Sequence, residues 1–306
     1  MNILVTGISG YIGSRLAPRL ERDGHAIRGL TRDPGARRYP PSIELAAGDA
    51  VSGTGLADAL AGIDVAYYLI HSMEPAANGA FSALERSAAG NFAREANAAG
   101  VKRIVYLGGL VPVGGPRSRH LASRLEVEHL LLAASPESVA FRASIVIGAQ
   151  SRSFRFLVRL VERLPVLAVP AWRINRTAPI DERDMVELLT RAATSPAVAG
   201  RSLDVGGPDV VSYGELIDRI REHMLLNRPT ISLKRLTVTP IASRLSALIA
   251  GEQYALIGPL MESLGDDLLP HEDRSAELLD VRLHSLDAAI ERALREWESS
   301  EPLAAR

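Results

Sequence analysis

Residues 5–13 read Val-Thr-Gly-Ile-Ser-Gly-Tyr-Ile-Gly. The glycines at Gly7, Gly10 and Gly13 are spaced for one chemical task, holding a pyrophosphate. They fall between a short apolar run and a longer amphipathic one, which is the context that gives this spacing meaning. Gly7 permits a tight turn out of a strand. Gly10 lets the backbone approach an anion with no Cβ in the way, and Gly13 lets the next helix pack close to a sheet. Ser9, Tyr11 and Ile12 complete the turn, and the helix N-terminus offers backbone N–H groups to the phosphates. The alternative is a structural strand–turn–helix with no ligand.

A dinucleotide in that cradle sets what the next residues should do. The second apolar run ends Gly29-Leu30-Thr31-Arg32, with no acid at its tip to accept from a ribose 2′-hydroxyl. Arg32, with Arg37 and Arg38 behind it, can neutralise a 2′-phosphate, so NADP(H) is preferred and NAD(H) remains possible. Asp49 and Ala50 follow the third run, where a carboxylate can accept from an adenine amino group or simply close an Asx turn. Leu69, Ile70, His71 and Ser72 follow the fourth run, at the crevice where ligands sit in open α/β sheets. The first three are expected to meet the cofactor and Ser72 the substrate. Leu107, Gly108 and Gly109 close the fifth run and let the chain pass near a nicotinamide ring, or merely bend. Arg142, Trp172 and Arg176, with Arg173 beside them, are candidates for a substrate clamp. The acids Asp181, Glu182 and Asp184 read as a helix cap and first turn rather than as a catalytic pair.

The elements that must position these groups follow from periodicity. Asn2–Thr6, Ala26–Leu30, Ile43–Ala47, Val65–Ile70, Arg103–Leu107, Val139–Arg142 and Ser202–Val205 are short and apolar without polar alternation, as strands buried on both faces of a parallel sheet are. Helical patterns lie between them, at Tyr11–Asp23, Gly55–Ala61, Ala80–Ala99, Arg119–Ala134, Ser153–Arg163 and Glu182–Thr194. The alternation predicts an α/β fold with a Rossmann-type doubly wound sheet of about seven strands. Beyond Gly206 the rhythm changes. A helix is expected over Val211–Leu226, capped by Ser212 with Glu215 three residues on. A strand at Thr230–Leu233, an apolar helical region over Ala242–Leu264 and a helix at Leu286–Glu298 follow. We therefore expect a dinucleotide-binding domain over 1–150 and 178–206. A smaller, mostly helical substrate lobe is expected over 151–177 and 207–306.

Composition narrows the function classes. The 306 residues carry a net charge of −1, which provides no general field for nucleic acid or an anionic membrane. No apolar run approaches the ~20 residues that span a bilayer. No signal peptide is expected, and the absence of cysteine fits a reducing cytoplasm. The seven histidines are scattered without H-x-x-x-H spacing, so no metal is expected. Neither a G-x-S-x-G elbow nor a Walker A lysine occurs. The expected partner is a small molecule, with the chain a monomer or a homodimer.

Several stretches resemble a known superfamily. Thr6-Gly7-x-x-Gly10-x-x-Gly13, Arg32-Asp33-Pro34 and Gly48-Asp49 are similar to extended and atypical short-chain dehydrogenases/reductases, including NmrA-like proteins. The runs 67–73 (YYLIHSM), 103–110 (RIVYLGGL), 120–127 (HLASRLEV) and 204–208 (DVGGP) resemble an atypical NAD(P)H-binding subgroup often called nucleoside-diphosphate-sugar epimerase-like. The resemblance spans nearly the whole chain and implies the Rossmann fold and cofactor binding. It implies little about substrate. Most members carry a Ser or Thr after the fifth strand and a Tyr-x-x-x-Lys on the next helix, where Tyr handles the proton and Lys holds the ribose. This chain has Gly108-Gly109 and His120-x-x-x-Arg124 instead. Arg124 can hold a ribose hydroxyl but cannot release a proton. His120, with an ordinary pKa of about 6.5, suits general acid/base work near neutrality.

Three functions stay open. The first is an NADP(H)-dependent oxidoreductase acting on a small, largely apolar molecule. The second is a non-catalytic NADP(H)-binding regulator or assembly factor, which the missing Tyr and Lys favour. The third is a non-redox isomerase or cyclase that keeps the fold.

Overall fold

The computed structural model describes residues 1–35, 39–70, 81–116, 118–163, 167–169, 171–226, 230–232, 265–301 and 303. The seven expected strands pair into one parallel sheet. They are β1 (Asn2–Thr6), β2 (Ala26–Thr31), β3 (Glu44–Ala47), β4 (Val65–Tyr68), β5 (Arg103–Gly109), β6 (Val139–Ala143) and β11 (Ser202–Val205). Their order is β11-β6-β5-β4-β1-β2-β3. The chain winds outward in one direction from β1 through β2 and β3, then crosses back to β4 and winds the other way. The reversal makes a switch point between β1 and β4, whose carboxyl ends frame the crevice where ligands of such sheets bind.

Central strands are apolar throughout because both faces are covered. Tyr67 and Tyr68 show this on β4, since alternate side chains point to opposite faces. Tyr67 joins the cluster containing Leu16, Leu20, Met185 and Leu189, under α1 (Tyr11–Arg22) and α6 (Glu182–Ala192). Its hydroxyl donates to the Leu189 carbonyl at 2.7 Å. Tyr68 faces the other side, beneath α2 (Leu56–Leu60), α3 (Phe81–Ala98) and α4 (Arg119–Ala134), with its ring edge-on to Phe92 at 5.1 Å. A third cluster gathers α5 (Arg152–Arg163), α7 (Tyr213–His223) and α9 (Leu286–Glu298) around Phe154, Ile217, Ile290 and Trp297.

Element boundaries moved where side chains intervene. The strand expected to run to Ile70 stops at Tyr68, because the Thr6 hydroxyl takes the Leu69 N–H at 3.0 Å and itself donates to the Tyr67 carbonyl. β5 runs two residues past expectation because β6 stays paired with it down to Gly109 and Ala143. The start of the expected 211–226 helix is instead a two-residue strand, β12 (Val211–Ser212), antiparallel to β9 (Arg176–Thr177). Ser212 and Glu215 then form the expected capping box on α7. Short pieces, most of them missed by periodicity, complete the picture. β7 (Val146–Ile147) pairs with β10 (Ile180–Asp181), and β8 (Leu167–Val169) pairs with β13 (Thr230–Ser232), the strand expected at 230–233. The 242–264 expectation lies outside the described residues.

Segment 265–284, which contains α8 (Ser275–Leu278), lies against the sheet edge. Asp204 accepts from the backbone N–H of His271 and meets its Nδ1 at 2.9 Å, and Asp273 accepts from the Gly206 N–H. Buried Asp184 accepts from the His284 N–H at 2.7 Å.

Candidate functional site

The glycine turn has the steric reasons its spacing suggests. Gly7 adopts a φ of +63°, where side chains are strained, and a Cβ there would lie 2.8 Å from the Leu69 carbonyl oxygen. A Cβ on Gly13 would lie 2.3 Å from the Gly7 carbonyl oxygen. The Gly10 N–H donates to that same oxygen at 2.8 Å and closes the turn. Gly10 then caps α1 without a side chain, and the first turn of α1 holds no acid. Its N-terminal N–H groups and dipole are therefore set for an anion from outside the chain. The turn also lies directly against Leu69, bringing the ends of β1 and β4 together. These features fit the pyrophosphate of a dinucleotide at the N-terminus of α1.

At the end of β2, Arg32 is exposed. The nearest acid, Asp33, turns its carboxylate into its own loop, accepting from the Gly35 N–H at 2.8 Å. Arg37 and Arg38 lie outside the described residues. Asp49 accepts from the Val51 N–H at 2.8 Å, which is the Asx turn weighed above. Ala50 is buried, and Asn91 of α3 donates to its carbonyl at 3.1 Å. His71 and Ser72 also lie outside the described residues. At the end of β5 the room beside Gly108 is taken by the Tyr106 ring, 2.9 Å from where a Cβ would stand. Gly109 lies under Leu121, so the first turn of α4 rests against the β5 terminus.

Ser118 caps α4 by accepting from the Leu121 N–H at 3.1 Å, which fixes where the helix starts and so where His120 stands. Burial, reinforced by the charge of Arg124 one turn on, lowers the His120 pKa to about 4. The expectation of an imidazole titrating near neutrality is thereby corrected: this group is neutral at physiological pH. Arg124 is buried, and its Nη2 lies 3.7 Å from a carboxylate oxygen of Glu85 on α3. With Tyr68, Ile70 and Tyr106 these two residues line a small enclosed space where β4 and β5 end. Glu85 escaped the sequence reading. Its signal was an acid on the buried stripe of α3 that also holds Ala88, Ala89, Phe92 and Ala96.

The expected substrate clamp is not assembled. The Arg142 guanidinium makes a fork with Glu128, with contacts of 2.6 and 2.9 Å, and lies 3.8 Å from Asp204. Arg176 is paired with Asp267 at 2.8 Å. Trp172 is buried in the third cluster, edge-on to Tyr213. Both arginines close on the protein's own carboxylates, and Trp172 takes the packing role. Asp181 caps α6 as expected. Glu182 does more than fill the first turn: it pairs with Arg15 at 3.2 Å and sits against the buried Tyr11 hydroxyl, whose pKa burial and that carboxylate push far up.

Residues 7–137 match the family model described as NAD(P)H-binding, which covers the glycine turn and the β2, β4 and β5 termini. Residues 7–137 thus form an NAD(P)H-binding domain, and the fold is one shared with short-chain dehydrogenase/reductase superfamily structures. Among solved structures it is similar to a short-chain dehydrogenase/reductase superfamily protein from Agrobacterium tumefaciens with bound NAD. The two are 20% identical with a TM-score of 0.70, covering 98% of this chain and 96% of that one. It is 23% identical over 298 residues to a ceramide reductase of Caulobacter vibrioides, covering 93% of both chains. A 3-beta-hydroxysteroid dehydrogenase of Mycolicibacterium neoaurum is 36% identical over 66 residues, which span 22% of this chain and 18% of that protein. Among the described residues no cluster of His, Asp and Glu is arranged for a metal, and no helix is long and apolar enough to cross a membrane.

Proposed function

We propose that this chain is an NADP(H)-dependent oxidoreductase that interconverts a carbonyl and a hydroxyl on a small, largely apolar molecule. The observation that carries the reading is the first turn of α4. A half-buried imidazole, its pKa lowered to about 4, stands there beside a buried guanidinium, on a helix that rests against the β5 terminus. When bound, the nicotinamide supplies the hydride chemistry. As hydride reaches the carbonyl carbon, the small protonated fraction of His120 delivers its proton to the substrate oxygen and is left neutral. In the reverse direction it accepts the hydroxyl proton. Arg124 holds ribose hydroxyls as a fixed cation, in place of a lysine. Exposed Arg32 takes the 2′-phosphate, while one oxygen of the neighbouring Asp33 carboxylate is held by the Gly35 N–H. An apolar substrate is supported by two relatives whose names specify a ceramide and a hydroxysteroid.

The test has two arms. Fluorescence titration is expected to give tighter binding of NADPH than NADH; equal or tighter NADH binding contradicts the Arg32 role. With long-chain or polycyclic ketones, His120→Ala is expected to lose about 100-fold or more in turnover while keeping its NADPH affinity. A non-catalytic NADP(H) binder is the second reading, favoured by the Glu85–Arg124 pairing. Unchanged turnover in His120→Ala removes the proton role.

A further inference from the structure

We propose that Glu85 is the residue that positions Arg124, its carboxylate held by the Ser123 hydroxyl and its charge answering the guanidinium where β4 and β5 end. The inference rests on the reading of Arg124 as the group that holds the ribose.

Glu85, Ser123 and Arg124 are 5%, 4% and 7% exposed, on two helices that pack face to face over the sheet. A buried charge persists when it is paired and hydrogen-bonded. The Ser123 hydroxyl donates to Glu85 Oε2 at 2.6 Å, fixing one carboxylate oxygen across the helix pair. The other oxygen faces Arg124 Nη2 at 3.7 Å. That distance is a charge pairing rather than a hydrogen-bonded fork. Glu85 therefore sets a countercharge beside the guanidinium and helps to fix its place.

Neighbouring groups do not take this role. Tyr106 on β5 packs against the pair, and burial lifts its pKa to about 12, so it stays a neutral phenol. Its hydroxyl donates to the Arg124 carbonyl at 3.3 Å and also lies within reach of the guanidinium, as a neutral partner that brings no countercharge. Tyr68 on β4 is likewise pushed up by burial and stays neutral. Glu128, one turn beyond Arg124 on α4, is committed to Arg142 and to the Ser202 hydroxyl. His120 on the same helix is neutral. Among the described residues, Glu85, reaching in from α3, is an acid within ion-pair distance of Arg124.

The test is a double-mutant cycle on NADPH affinity in the full chain, read by fluorescence titration. Glu85→Gln keeps the shape and the Ser123 partner but removes the charge. It and Arg124→Gln are each expected to weaken NADPH binding about tenfold. The double variant should be no weaker than Arg124→Gln alone, within about twofold, because one residue acts through the other. Glu85→Asp should restore affinity to within about threefold of wild type. Losses that multiply in the double variant, or affinity unchanged in Glu85→Gln, overturn the proposal. Should Glu85→Gln fail to fold, Ser123→Ala decides, since it removes only the hydroxyl that holds Glu85. A threefold or greater loss is then expected, and unchanged affinity overturns the role. A wild-type chain that bound no NADPH would strike the cofactor reading itself, and this inference with it.

Discussion

His120 illustrates how environment resets a residue whose type is visible in sequence. Its ordinary pKa suits acid/base work near neutrality, yet burial and the adjacent Arg124 lower it to about 4. Between about 4 and about 6.5 the unfolded chain binds a proton that the folded chain refuses. Stability is therefore full above about pH 6.5 and falls as pH drops toward 4, by up to about 3 kcal/mol. Urea unfolding at pH 7 and pH 4.5 is expected to show this slope in the wild type and a shallower one in His120→Gln. Equal slopes would mean that the imidazole is not held neutral. Arg32 belongs at the same scale. Removing it in Arg32→Ala should weaken NADPH about ten- to 100-fold and leave NADH nearly unchanged, as loss of a charge-assisted contact to a 2′-phosphate requires. Parallel losses for both cofactors would contradict that contact.

At the scale of elements, the turn and the helix caps make contrasting predictions. Gly13→Ala pushes a Cβ to 2.3 Å from the Gly7 carbonyl oxygen, so the turn must open. NADPH affinity should fall at least tenfold, with a stability loss of about 1–3 kcal/mol. Ser212→Ala removes half of a capping box on α7, at the far end of the chain from the turn, and should cost about 1 kcal/mol with cofactor affinity intact. Much of this level was legible from sequence. The strands of the sheet, the full span of α4 and the Ser212–Glu215 cap follow from patterns that neighbouring residues carry. What was not legible depends on distant partners. β4 stops early because Thr6 takes the Leu69 N–H. The two-residue strands β7, β9, β10 and β12 have no periodicity to read. Arg142 looked available until Glu128 was found facing it from another element. Glu85 looked like one more helical acid until α3 and α4 were packed together.

At the scale of the whole molecule, the chain is a parallel sheet with a ligand crevice at its switch point, edged by a C-terminal segment held through buried acids. Asp184 is 2% exposed, accepts from the His284 N–H and lies 2.5 Å from its Nδ1. Asp184→Ala should therefore destabilise the chain by about 1–3 kcal/mol in urea unfolding, because the His284 backbone donor loses its buried acceptor. A change below about 0.5 kcal/mol would mean that the segment is held elsewhere. The central claim is narrower: the β4 and β5 termini and the first turn of α4 form one site over a nicotinamide. A crystal structure with NADPH bound tests it most directly. The account predicts a His120 ring nitrogen within about 3 Å of the position a carbonyl oxygen takes over the nicotinamide C4, with Arg124 on the ribose hydroxyls. A nicotinamide turned away from α4, with Arg124 off the ribose, would contradict it.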